Sequence, residues 1–104
     1  MGATLEATRD GILVTDEGGR VTVFNERFAE MWRLPPDIAG AMDRIPAHVA
    51  GQFTDRRAYL DRIARIQASA PPESHDALEL ADGRVVEEFS RTQVMDGRTV
   101  GRVW

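Results

Sequence analysis

Few side chains in this 104-residue chain could do chemistry, and most have a plainer use. His48 and His75 are its two histidines. Neither has a second ligand at metal-binding spacing, so each is expected in a loop or at a strand edge. Asp10, Asp82 and Asp96 each precede a glycine, and Asp16 opens the run Asp16–Arg20. All four therefore read as turn residues rather than an acidic cluster. Glu87 and Glu88 adjoin on a predicted strand and must point to opposite faces, so they cannot pair as acid and base. No Ser-His-Asp arrangement and no phosphate-cradling glycine loop can be assigned.

Arg91, Gln93 and Arg102 are more informative. They fall on the last two predicted strands, where pairing could bring them together. Facing the helices, they would be polar anchors in an apolar pocket, suited to a carboxylate or to a ring with acceptors. Facing outward, they would be ordinary surface residues. Alternation puts Glu87, Phe89, Arg91 and Gln93 on one side and Val86, Glu88, Ser90, Thr92 and Val94 on the other. Val100, Arg102 and Trp104 share a face, and neither sheet face is cleanly apolar. The aromatic set Phe24, Phe28, Trp32, Phe53, Tyr59 and Phe89 could line a flat cofactor. In a chain this short, their first use is as core.

The elements that must position these residues can be read in order. Ile12–Thr15 and Val21–Phe24 are β-branched and apolar, and flank a turn holding Gly18-Gly19. Asn25 suits a helix N-cap. Phe28, Met31 and Trp32 then follow at helical spacing over Glu26–Leu34, which Pro35-Pro36 ends. The stretch from Pro36 to Gln52 is broken by prolines and glycines and is expected as a wrap with little regular structure beyond helical turns at Asp37–Gly40 and Met42–Val49. A long helix is predicted over Thr54–Ala70, capped by Thr54, with Tyr59, Ile63 and Ile66 on one stripe. Strands follow at His75–Leu80, Val85–Met95 and Thr99–Trp104, joined by two Asp-Gly turns. Hairpin, helices and three-stranded meander make an α+β domain with helices gathered on one face of five antiparallel strands.

Composition bounds the function. The length allows one domain with one core. The net charge of −4 argues against nucleic acid as a partner. All thirteen basic residues are arginine, and there is no cysteine. Disulfides, thiolate metal sites and cysteine nucleophiles are thereby excluded. No run approaches the roughly 18 apolar residues of a membrane span, and the opening Met1–Thr4 does not resemble a leader.

The order of elements, with these residues, resembles the PAS domain family. The likeness is densest in Asp10–Asp16, Gly19-Arg20-Val21, Phe24-Asn25, Phe28 and Met31-Trp32. It returns in Leu78–Arg84 and Gly101-Arg102-Val103-Trp104. The resemblance implies a sheet in the order 2-1-5-4-3 with helices enclosing a small pocket. It implies one sensory domain, like the sensor segments of bacterial histidine kinases and diguanylate cyclases. Such a domain would belong to a longer signalling protein, carry no catalysis of its own and regulate an output domain outside this chain. A homodimer, a cytoplasmic setting and a possible small-molecule ligand are the expected context, without membrane contact by this domain. The parent protein is free to carry a membrane anchor.

The family's flavin photosensors use a cysteine that this chain lacks, which excludes a cysteine-linked flavin. Its haem branch uses a histidine on the long helix, and Thr54–Ala70 has none. The expected pocket residues are Phe28, Met31, Trp32, Tyr59, Ile63, Leu80 and Phe89, with Arg91, Gln93 and Arg102 as polar anchors. Two readings compete with a ligand sensor. One is a ligand-free PAS module that dimerises and relays signals. The other is a small α+β enzyme, which would need an acid and base of shifted pKa.

Overall fold

The structure, a computed structural model, describes residues 10–104. The sequence Thr4–Arg9 tolerates a short helix, but these residues lie outside that range. Strands β1 (Leu13–Asp16) and β2 (Val21–Phe24) form the opening hairpin. Asp16 closes its turn: one carboxylate oxygen accepts from the backbone N–H of Gly18 and of Arg20, each at 2.9 Å. Those backbone bonds hold the Asp16 carboxyl below its ordinary pKa.

Helix α1 (Glu26–Met31) begins on Asn25, which is wholly buried. Its Oδ1 accepts from Phe28 N and Ile12 N at 2.9 Å, and its Nδ2 donates to Asp10 O at 2.9 Å. One side chain thus ties the start of the helix to the start of the sheet. The helix ends before Leu34, because Arg33 turns left-handed at φ 53°.

The wrap is more helical than expected, and both expected turns fall on its helical segments. It forms α2 (Pro36–Ala39), a 3₁₀ turn (Met42–Arg44) and α3 (Ile45–Ala50). Pro36 and Pro46 sit in the first turns of α2 and α3, where a missing N–H breaks no bond. Ile45, Val49 and Ala50 bury the inner side of this segment. Helix α4 (Arg56–Ser69) is capped by Asp55 rather than by the expected Thr54. The Asp55 carboxylate accepts from Ala58 N at 3.0 Å.

Strands β3 (Glu73–Glu79), β4 (Val85–Met95) and β5 (Arg98–Val103) complete a five-stranded antiparallel sheet in the order β2-β1-β5-β4-β3. Phe28 from α1, Trp32 at its C-cap, and Ile45 and Val49 from α3 pack with Leu13 and Leu80 as the core. Among the described residues no helix is long and apolar enough to cross a membrane.

One irregularity decides what the sheet presents. The β4–β5 hairpin starts with Met95 opposite Arg98 and Val94 opposite Thr99. The register then shifts, so that Gln93 faces Gly101, Thr92 faces Arg102 and Arg91 faces Val103. A one-residue shift sends every later side chain of one strand to the other face. Arg102 therefore shares a face with Thr92 and Ser90, not with Arg91.

Candidate functional site

The helix side of the sheet carries two rows of side chains. The first is aromatic. Phe24, Phe28, Trp32 and Phe53 follow one another at centroid distances of 6.1, 6.2 and 6.0 Å. Tyr59 of α4 then stacks on Phe53 at 4.3 Å. This row joins β2, α1 and α4, and its short spacings are those of packed core.

The second row is polar and runs across β3, β4 and β5 beneath α4. Tyr59 donates to Glu88 Oε2 at 3.1 Å. Arg62 Nη2 donates to Asp76 Oδ2 at 2.7 Å, and its Nη1 lies 2.7 Å from Glu88 Oε1. Burial, then the Glu88 carboxylate, pushes the Tyr59 phenol well above its ordinary pKa. Burial opposes the Arg62 charge, but Asp76 and Glu88 outweigh it and raise its pKa. Both oxygens of Glu88 are thus engaged.

Further along the row, the Ser74 and Ser90 hydroxyls are in close contact. Ser90 Oγ also accepts from Arg102 Nε at 2.8 Å. The Arg102 guanidinium lies 5.6 Å from the Trp104 ring, whose Nε1 donates to Thr15 Oγ1 at 3.2 Å. Arg102 is only 3% exposed, yet its Nη1 and Nη2 have no partner among the described residues. Burial pulls its pKa down.

A cavity of about 1040 Å³ opens beside this row. It lies between α1, with the chain leading into β1, and the first half of β4. On its β3 side β4 is paired from Val85 to Arg91. On its β5 side pairing begins only at Arg91, so the earlier residues leave an open edge there. Phe28, Met31 and Trp32 form the helical wall of the cavity; Ser74, Ser90 and Trp104 line it from the sheet.

The expected pocket residues are only partly brought together. Phe28, Met31 and Trp32 line the cavity. Phe89 and Arg91 reach it from the opposite face of the sheet, where Phe89 is 58% exposed and stacks on His75. Arg91 pairs there with Glu73 at the surface. Gln93 is exposed on that same outer face. The grouping of Arg91, Gln93 and Arg102 as anchors is corrected accordingly: the register shift separates Arg102 from the other two. Tyr59 and Ile63 of α4, and Leu80, do not line the cavity: Tyr59 stacks on Phe53 and Leu80 is buried in the core.

Ser74, Ser90, Arg62 and Glu88 were not among the expected site residues. The signal for Ser90 and Glu88 was their place on the same face of β4, which becomes the helix face. The histidines work structurally. His48 Nε2 lies 3.1 Å from Trp32 O, beside Gln52 Nε2, which donates to the same oxygen at 2.6 Å. Among the described residues no three His, Asp or Glu side chains cluster so as to hold a metal.

The PAS domain family model matches residues 3–69. Among solved structures, the chain is similar to the PAS domain of BvgS from Bordetella pertussis. The TM-score is 0.73 at 17% identity, over 95% of this chain and 76% of that one. It is also similar to the PAS domain of a protein from Desulfitobacterium hafniense, with a TM-score of 0.54 at 16% identity, over 95% and 92% of the two chains. Comparison with curated proteins found no match. At these identities the structural likeness concerns the fold.

Proposed function

The chain belongs to the PAS domain family, and from this we propose that it is a ligand-binding sensory module that regulates an output domain, such as a histidine kinase or diguanylate cyclase. The observation that carries the ligand is the cavity of about 1040 Å³ against α1. A pure relay module has no need of such a space, and small-molecule sites typically span roughly 300–1,000 Å³.

The cavity touches both the first helix and the sheet. Its occupant would favour one packing of α1 against β4 and β5 over another. A ligand can signal only through such differential affinity for two states. We assign the domain no catalysis. Glu88, the half-buried carboxylate of the cavity wall, is held by Tyr59 and Arg62 and is no free base.

A dimer is the second reading, favoured by the outer sheet face. There Phe89 and Val23 are 58% and 40% exposed on the side away from the helices. Native mass spectrometry of the purified protein tests both readings. The expected result is non-covalent extra mass that is lost on denaturation. A clean apo dimer would transfer the argument to the relay module, and a clean apo monomer would count against both.

A further inference from the structure

We propose that Arg102 is the anchor for the carboxylate of a small organic acid, held in the cavity beside α1. The inference deepens the sensory reading and rests on it. Its starting point is a charge without a counter-charge. A buried guanidinium is ordinarily paired, because an uncompensated ion in the interior is costly. Here Nε donates to Ser90, while Nη1 and Nη2 have no partner among the described residues. The nearest carboxylate along the inner face of β4 is Glu88, and its oxygens serve Tyr59 and Arg62. The protein therefore leaves a two-pronged donor in the interior with nothing to receive it. A carboxylate matches that fork with two parallel hydrogen bonds.

The route is set by the neighbours. Arg102 does not itself line the cavity, but Ser90, which accepts from its Nε, and Trp104, whose ring centroid lies 5.6 Å from its guanidinium carbon, both do. The carboxylate gains Arg102 by turning the Ser90 hydroxyl, a low-barrier side-chain rotation, and shifting the indole. The acid's apolar body then rests on Phe28, Met31 and Trp32.

The rim narrows the class. Glu73 is paired with Arg91, and Asp10, Glu30 and Glu87 line the cavity against Arg27. A second carboxylate at that acidic mouth would be repelled, so the ligand is a monocarboxylate with an apolar tail.

The test is a thermal-shift and calorimetric titration with hexanoate, its neutral analogue hexanamide and the dicarboxylate adipate. Hexanoate should raise Tm saturably, adipate less, and hexanamide not at all. Arg102→Met should abolish the hexanoate response. Arg102→Lys, which keeps the charge without the fork, should weaken it roughly tenfold or more. Should Arg102→Met fail to fold, the lysine variant decides. The proposal falls if hexanamide matches hexanoate, if the variants titrate like the parent, or if hexanoate has no effect. A neutral or cationic molecule found in the native mass spectrum would overturn the carboxylate while leaving the sensory reading intact.

Discussion

Asn25 and Arg102 are both buried polar residues, 0% and 3% exposed; Asn25 caps α1 beside the start of β1, and Arg102 lies on the central strand β5 opposite Thr15 of β1. Their surroundings differ completely. Asn25 meets backbone groups at Ile12, Phe28 and Asp10, all at 2.9 Å, and through them fixes the junction of β1, β2 and α1. Arg102 has one bond, from Nε to Ser90, and two idle nitrogens. A buried polar group with its partners in place explains a fold. One without them calls for something the fold does not supply. The first region is thus built to stay as it is, and the second to receive.

The seam between the two regions gives the sharpest test that they form one sheet. A Cβ on Gly101 would sit 2.3 Å from the carbonyl oxygen of Thr15. Only glycine lets β5 run this close to β1. Gly101→Ala should cost about 3–4 kcal/mol, enough to unfold a marginal domain, and chemical denaturation would measure it. An unchanged midpoint would mean that β5 sits less tightly on β1 than the 2.3 Å approach requires.

The comparison itself is tested by substitutions of opposite expected sign. Asn25→Ala strands the N–H groups of Ile12 and Phe28 and should cost about 2–3 kcal/mol. Asn25→Asp keeps the acceptor and should cost less. Arg102→Met removes an uncompensated buried charge and should stabilise the ligand-free protein by about 1–2 kcal/mol. Urea midpoints of the three variants provide the readout. If Arg102→Met destabilised as Asn25→Ala does, Arg102 would be a structural residue like Asn25 and the contrast would collapse.

These two residues were unequally legible. Asn25 was readable as a cap because everything that defines it is local: a β-branched strand before it and Phe28, Met31 and Trp32 after it. The hairpins were readable for the same reason, since Gly19, Asp96 and Gly97 take the positive φ that such turns require. Arg102 was not. An unbroken ladder from the Asp96-Gly97 turn would place Arg102 opposite Arg91, on one face with Phe89. The shift between Gln93 and Val94 places it opposite Thr92 and inside. That bulge is a tertiary choice, made where β5 must also pair with β1, and no local pattern announces it. The wrap is half legible: its helical turns can be read near Asp37–Gly40 and Met42–Val49, but not their share of the segment, because Pro36 and Pro46 read as breakers whereas both occupy first turns, where proline is tolerated.

The smallest effect contrasts two turns, one in each region. Asp16 bonds to Gly18 and Arg20 within its own hairpin. Asp82 accepts from Arg84 N at 3.1 Å and Arg84 Nε at 2.8 Å, and Arg84 in turn donates to Met31 O and to Gln52, holding the end of α1. The backbone N–H of Arg20 chiefly lowers the Asp16 pKa, and that of Arg84 the Asp82 pKa. A carboxylate whose folded pKa lies below its unfolded value stabilises the fold above the unfolded value. That contribution fades as pH falls through both. Stability should therefore decline with acid from about pH 4 downward. Asp16→Asn and Asp82→Asn should each flatten the decline measured by Tm against pH. Because Asp82 also orients Arg84 against α1, Asp82→Asn should lower Tm at neutral pH more than Asp16→Asn does. Equal losses would mean either that the Arg84 bridge to α1 stands without Asp82, or that His48 and Gln52 at Trp32 O suffice to anchor the helix bordering the cavity.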